Sequence, residues 1–226
     1  MMMMLNLFSV FDPYSLELFY IYMNWYYSFL WILILPLMYW MIISRFNYFF
    51  YKFFYMLYNE FKVLLVNKKY LYDYLFMISL FFFMLINNFM GLFSYVFTSS
   101  SHLIFSFFFS FIFWFMSFFS GWYNNMLNMF AHLVPQGTPM MLMVFMVLIE
   151  SLSMMIRPMT LCIRLSANMI AGHLLLTLLG NSIPMLLLYL IVLLIQLMLL
   201  LLEVAVSIIQ SYVFVLLLIL YYKEIE

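Results

Sequence analysis

The chain has 226 residues, of which 70% are hydrophobic and only 7% are charged. Soluble globular proteins are about half apolar and about a quarter charged, so this composition predicts a membrane protein. The mean hydropathy of +1.16 supports the same class. Eight basic and eight acidic residues give a formal net charge of zero, which leaves no basic field for a polyanion. Nucleic acid is therefore excluded as a partner.

The predicted elements begin with an apolar segment at residues 18–44, which is long enough to cross a membrane as a helix. Residues 45–73 follow, and with five basic and two acidic side chains they are the most basic segment of the chain. Their aromatic pairs alternate with polar residues, which predicts an amphipathic helix at 47–66 on the membrane surface. The positive-inside rule places this segment on the side where the protein was made.

Two further apolar segments, at residues 74–97 and 102–120, predict a membrane hairpin with a polar turn between its arms. Residues 121–139 contain three asparagines and two prolines, and we expect them to form the longest polar connection.

The last two predicted helices occupy residues 140–179 and 184–222. At about 1.5 Å per residue each is near 60 Å long, so both must tilt strongly or bend in a bilayer core of about 30 Å. Pro158 is a candidate position for a bend. The sequence as a whole predicts an all-α membrane protein in a single membrane domain, 1–226, with about five membrane helices and one surface amphipathic helix.

Metal and nucleotide chemistry have little support in this sequence. Cys162 is the single cysteine and lies in an apolar run, which predicts a small buried side chain rather than a disulfide or a metal ligand. The three histidines are far apart and lack metal-binding spacing, so we expect no metal and no cofactor. The chain also lacks a Gly-rich phosphate-binding loop, which predicts that it is not catalytic by itself.

Ionisable residues inside the first long helix are the strongest functional signal. Each charge near a bilayer centre costs about 2.5 to 3.5 kcal/mol on insertion scales, so such residues are expected to face protein or a water-filled cavity. Glu150, Arg157 and Arg164 are spaced by seven and form one stripe on a helix. Asn168 lies beside this stripe, whereas His173 points to the opposite side, which would let one helix serve two separate aqueous cavities.

The second long helix repeats this pattern. Gln196, Glu203 and Gln210 are also spaced by seven, and Ser207 lies one turn beyond Glu203. This polar stripe could face the preceding helix and line a proton route. The alternative for Gln196 and Ser207 is that they only bond one helix to the other, as polar residues in membrane bundles do.

Several ordered motifs carry a resemblance to subunit a of the F-type ATP synthase, the mitochondrial form above all. The resemblance is dense in the C-terminal half, while the N-terminal half agrees mainly in the order of its spans. The span at 74–97 departs from the family pattern only in having Ser94 where a proline is usual. The matching segments are Leu133-Val134-Pro135-Gln136-Gly137-Thr138-Pro139, Glu150-Ser151-Leu152-Ser153, Ile156-Arg157-Pro158, Arg164-Leu165 with Asn168, Ala171-Gly172-His173, Leu202-Glu203-Val204-Ala205-Val206, and Ile209-Gln210-Ser211-Tyr212-Val213-Phe214.

The resemblance implies a proton-conducting stator subunit with two half-channels against a rotating ring of c subunits. It implies that Arg164 faces the ring, with Asn168 and Gln210 nearby. It further implies that His173 and Glu203 belong to the outer half-channel and Glu150 to the matrix half-channel. Arg157 has no definite family role, and packing or an interface position is its alternative.

The resemblance also implies other subunits of the membrane sector and the peripheral stalk as partners, and the mitochondrial inner membrane as the location. Two other functions stay open on the residues alone. An antiporter-like subunit of a respiratory complex is also very hydrophobic, but it would usually carry intramembrane lysines, and this chain has none between Tyr70 and Tyr222. A membrane scaffold would not need the ionisable residues that these two helices contain.

Overall fold

The computed structural model describes residues 11–12, 23–30, 44–64, 71–93, 96–134, 139–181 and 186–225. Within these ranges the chain is all α-helical apart from turns and short 3₁₀ segments. The six α-helices are α1 (Met23–Leu30), α2 (Arg45–Leu64), α3 (Leu71–Gly91), α4 (Leu103–His132), α5 (Met140–Asn181) and α6 (Leu186–Ile225).

Four of the described helices, α3 to α6, are long and apolar enough to cross a membrane. The predicted first span at 18–44 lies mostly outside the described residues, which include its segment α1. The all-α membrane fold predicted from the composition is therefore confirmed.

Helix α2 begins where Ser44 caps it. The Ser44 hydroxyl accepts a hydrogen bond of 3.2 Å from the backbone N–H of Asn47, which satisfies one of the free donors of the first turn. This cap explains why the helix begins at Arg45 rather than at the predicted residue 47. Leu57 and Phe61 are buried on one face of α2, as the amphipathic pattern predicts.

The apolar core lies where α2, α3 and the second half of α6 meet. Phe61 and Ile219 are fully buried there, and the rings of Phe54 and Phe82 lie 4.3 Å apart between α2 and α3. The hydroxyl of Tyr212 donates a 3.3 Å hydrogen bond to Glu60 at the margin of this core. Helix α2 is thus fixed to α6.

The turn between α3 and α4 is buried although it is polar. It contains one turn of 3₁₀ helix at Ser99–Ser101, and the hydroxyl of Ser101 donates a 2.7 Å hydrogen bond to the Thr98 carbonyl. Gly91 ends α3, and a Cβ at this glycine would lie 3.4 Å from the Thr98 methyl group. The small glycine therefore allows the turn to fold back closely onto the end of α3.

Helix α4 continues past the predicted end at residue 120 to His132. Gly121 is buried inside it, and the asparagines that follow do not interrupt the helix. The first proline after residue 120 is Pro135, so no residue before it lacks the N–H that an α-helix requires. The connection before α5 is correspondingly shorter than the predicted segment 121–139.

The two long helices extend close to their predicted bounds, with 42 residues in α5 and 40 in α6. Helix α5 continues through Pro158, which is buried. Cys162 is also buried and lies 3.2 Å from the Ser106 hydroxyl of α4, so the prediction of a small buried side chain is confirmed. These contacts fix the middle of α5 against α4.

Candidate functional site

Arg164, Asn168 and Gln210 form a polar cluster between α5 and α6. The side-chain amide of Gln210 donates a 2.9 Å hydrogen bond to the backbone carbonyl of Arg164. The amide of Asn168 donates in turn to the side-chain carbonyl of Gln210 at 3.4 Å. Gln210 is buried, whereas the side chains of Arg164 and Asn168 are exposed. The cluster thus joins the two helices and leaves the guanidinium of Arg164 on an open face.

Glu203 lies in the opposite environment. Its side chain is only 8% exposed, and neither carboxyl oxygen has a hydrogen-bond partner among the described residues. It packs against α5 at Gly172, where an added Cβ would lie 2.9 Å from Cδ and from Oε1 of Glu203. The carboxyl group therefore occupies the space that any larger residue at position 172 would fill.

A small cavity of about 20 Å³ connects these two environments. Glu203 and Gly172 line one part of it, and Asn168 and Gln210 line another. About 10 to 15 Å³ of such volume is enough for one water molecule, provided that polar partners surround it. The cavity is therefore large enough for about one water between the Glu203 carboxyl and the amides next to Arg164.

His173 is buried at the end of α3, on the other side of α5 from Arg164. It is 8% exposed, and its ring lies against the backbone of Gly91. The ring of Phe11 meets it edge-on, with centroids 6.1 Å apart. His173 directly follows Gly172 in α5. His173 therefore lies next to the point where Gly172 contacts Glu203. Arg164 is exposed and His173 is buried, and the two separate aqueous cavities stay a prediction.

The remaining candidate residues have different surroundings. Ser207 lines the cavity, and its hydroxyl donates a 2.8 Å hydrogen bond to the Val204 carbonyl of its own helix. The guanidinium of Arg157 lies over the Tyr221 ring, 5.1 Å from its centroid, which supports the packing alternative. Glu150 and Gln196 are half-buried and line neither the cavity nor the cluster of Arg164, Asn168 and Gln210.

Gly172 is the site residue whose role the sequence did not reveal. The chain has only five glycines, and one in the middle of a long membrane helix is typical of a close approach by a neighbouring helix. That signal was available, but it could not identify Glu203 as the neighbour. Among the described residues no group of three or more His, Cys, Asp or Glu side chains could hold a metal ion.

This fold and this site define an all-α, multi-pass membrane protein whose two longest helices enclose a polar interface within apolar sequence. The family model described as ATP synthase A chain matches residues 21–223, which is most of the chain. The chain therefore belongs to the ATP synthase A chain family.

Curated relatives of similar length support this membership. The chain is 52% identical to ATP synthase subunit a of Locusta migratoria, over 99% of this chain and 100% of the relative. With the same coverage it is 51% identical to ATP synthase subunit a of Drosophila yakuba and 49% identical to that of Aedes albopictus. The resemblance drawn from the sequence motifs is confirmed.

Proposed function

We propose that this chain is the proton-translocating stator subunit of the membrane sector of an F-type ATP synthase. It would form two half-channels against a ring of c subunits and couple proton flow to rotation and ATP synthesis. The family membership supports this role. The observation that carries the mechanism is the exposed side chain of Arg164, whose backbone carbonyl is bonded by Gln210, a residue that lines one small cavity together with the buried Glu203.

The exposed cation gives a direct role to Arg164. A carboxyl group on a rotating ring can pass through lipid only when neutral, because the ionised form loses its hydration there. Facing a fixed guanidinium, the ionised form is stabilised and can release its proton. An arginine stays charged at physiological pH, so it also prevents protons from passing directly between the two half-channels.

The outer half-channel is assigned to the buried residues His173 and Glu203. A proton reaching Glu203 would continue through the small cavity toward Asn168 and Gln210, which surround the Arg164 backbone. Glu150, which is two turns before Arg157 on α5, is assigned to the matrix half-channel.

The proposed setting is the mitochondrial inner membrane. The partners are the c subunits, the peripheral stalk, the other membrane-sector subunits and the lipid bilayer. The chain would not be catalytic alone and would need no cofactor, since ATP chemistry would take place on other subunits. Co-purification of a c-ring and a catalytic head with this chain tests the assignment against a respiratory antiporter subunit and against a scaffold.

Substitution of Arg164 tests the mechanism. In complexes reconstituted into sealed vesicles, Arg164→Ala should abolish proton-driven ATP synthesis while permitting passive proton flow. Arg164→Lys should also fail, because an ammonium group can lose its proton when desolvated and lacks the planar fork of arginine. Arg157→Ala is the matched control on the same helix, and it should retain synthesis because Arg157 packs on Tyr221. Parental synthesis in assembled Arg164→Ala complexes would refute the mechanism.

The proposed topology puts the N-terminus outside, residues 45–73 in the matrix and the C-terminus in the matrix after five crossings. Asp12 and Glu17 precede the first predicted span and the basic segment follows it, which is the charge asymmetry expected for this orientation. Epitope tags at both termini in sealed inner-membrane vesicles should be accessible from opposite sides. Tags accessible from the same side would require an even number of crossings and contradict this topology.

A further inference from the structure

Several buried polar atoms lack a protein partner in the part of the chain that the structure describes. Among the described residues they belong to the side chains of Asn88, Ser100, His102, His173 and Glu203. Buried polar groups almost always have a hydrogen-bond partner, either protein or water, because leaving one unpaired costs free energy. His173 and Glu203 are already assigned to the outer half-channel. The other three residues lie at the end of α3 and in the turn before α4.

A chain of contacts joins this turn to His173. The ring of His173 lies against the backbone of Gly91, and Gly91 packs against Thr98 at the start of the turn. The hydroxyls of Thr98 and Ser101 lie 2.9 Å apart, and His102 follows. The turn also packs against α5. These contacts place Ser100 and His102 beside the outer half-channel rather than on a separate face of the protein.

Phe11 is a second link between the turn and His173. Its backbone lies against His102, while its ring meets the ring of His173 with the two centroids 6.1 Å apart. The His102 ring also lies 5.4 Å from Trp25 and 5.2 Å from Phe97, measured between centroids. Phe11, which precedes the first predicted span, thus contacts both His102 and His173, although these two histidines are far apart in the sequence.

The two histidines are held in the same way. In each ring Nε2 is a buried nitrogen without a protein partner among the described residues. With its hydrogen on Nδ1, the ring of His102 has a free lone pair on Nε2 that accepts a hydrogen bond from water.

We propose that His102 is a second histidine of the outer half-channel, where its Nε2 holds water on the path to His173 and Ser100 lines the same path. This proposal rests on the proposed function. His102 is a positioning residue: it orients water molecules along which protons move, and it does not need to take up a proton itself. The rings of Trp25 and Phe97 pack against the His102 ring and limit its orientation.

Substitutions of His102 test the proposal in the assembled complex. His102→Leu removes the acceptor, and passive proton flow through the membrane sector should fall about fivefold, as expected for loss of one hydrogen bond along the path. His102→Gln keeps a hydrogen-bonding oxygen and should restore most of the flow. Ser110→Ala is the control, since Ser110 is a buried serine of α4 whose hydroxyl already bonds to the Phe107 carbonyl at 3.1 Å. Equal loss in the Leu and Gln variants would mean that His102 only packs, and would overturn the proposal.

A second measurement does not depend on the effect of substituting His102. Ser100 is fully buried, and its hydroxyl has no protein partner among the described residues. Ser100→Cys should therefore react with a small water-soluble thiol reagent added on the outer side, and the reaction should block proton flow. Ser110→Cys, equally buried but away from the path, should not react. Equal protection of both cysteines would contradict a hydrated path at Ser100.

The same assay separates this proposal from the proposed function. Glu203→Leu is measured in parallel. Loss of flow in Glu203→Leu together with parental flow in His102→Leu would refute only the role of His102. Parental flow in both variants would instead refute the assignment of the outer half-channel itself.

Discussion

Arg164 and Glu203 carry opposite charges on adjacent helices, yet the chain surrounds them differently. Glu203 is enclosed by its own chain, against Gly172 and beside a small cavity. Arg164 has its backbone carbonyl bonded by Gln210 but its guanidinium exposed. An enclosed group can work with water alone, whereas an exposed cation within apolar sequence needs a partner molecule. In the proposed function, the surroundings of Glu203 therefore come from this chain itself, whereas Arg164 needs a carboxyl group from another subunit.

The largest effect is expected from removing the enclosed carboxyl group. Glu203→Leu should lower passive proton flow roughly 100-fold, the scale of one lost proton-transfer group. Assembly should survive because an ionisable group is removed from apolar surroundings rather than added. Glu203→Asp, which keeps a carboxyl group, should retain part of the flow. Equal flow in the Leu variant and the parent would mean that Glu203 is structural and that the enclosed region is not a proton path.

A subtler change displaces this carboxyl group without removing it. In Gly172→Ala the new methyl carbon would lie 2.9 Å from Glu203 Cδ, so the flexible side chain must move. A shift of this size at a reacting group should lower proton flow roughly tenfold with little loss of assembled complex. Gly180→Ala is the matched control on the same helix, because nothing lies within 4 Å of its added carbon. Similar flow in the two alanine variants would contradict a positional requirement at Glu203.

The smallest effect is expected from changing the residues that bond to the exposed Arg164. Gln210→Leu removes the hydrogen bonds to the Arg164 carbonyl and to Asn168. Such interhelical bonds contribute about 0.6 kcal/mol on average in membranes, so coupled ATP synthesis should fall about threefold. Gln196→Leu on the same helix lies outside this cluster and should have less effect. A larger loss in Gln196→Leu would indicate that the cluster is not what orients Arg164.

The sequence predicted the long helices and the candidate polar residues because both depend on local patterns. Long apolar runs bounded by proline and glycine predicted the bounds of α5 and α6. Charged residues within such runs are recognised as functional candidates because inserting them into a membrane costs free energy. It placed the end of α4 too early, since Gly121 and the asparagines after it favour a turn only when packing does not support a helix. The helix continues because its hydrogen bonds are uninterrupted before Pro135.

The pairing of specific residues could not be predicted in the same way. The family resemblance implied that Gln210 lies near Arg164, but the spacing alone could not choose between Gln196 and Gln210, because both lie on one stripe and the choice depends on how far one helix is shifted along the other. The contact of Gly172 with Glu203 and the holding of two histidines by Phe11 involve residues far apart in the chain. Such contacts are set by tertiary packing, which a single sequence does not display.

The apolar core also has a mechanical consequence for α6. The second half of this helix is clamped, with Val215, Leu218 and Ile219 buried and Tyr212 bonded to Glu60 of the surface helix. The first half is exposed within this chain, for example at Leu190 and Leu201. Helix α6 is therefore fixed at its C-terminal end and unsupported by this chain at its N-terminal end. In the proposed function, drag from a turning ring of c subunits would bend the free end of α6, and α2 would take up the opposing force at the fixed end.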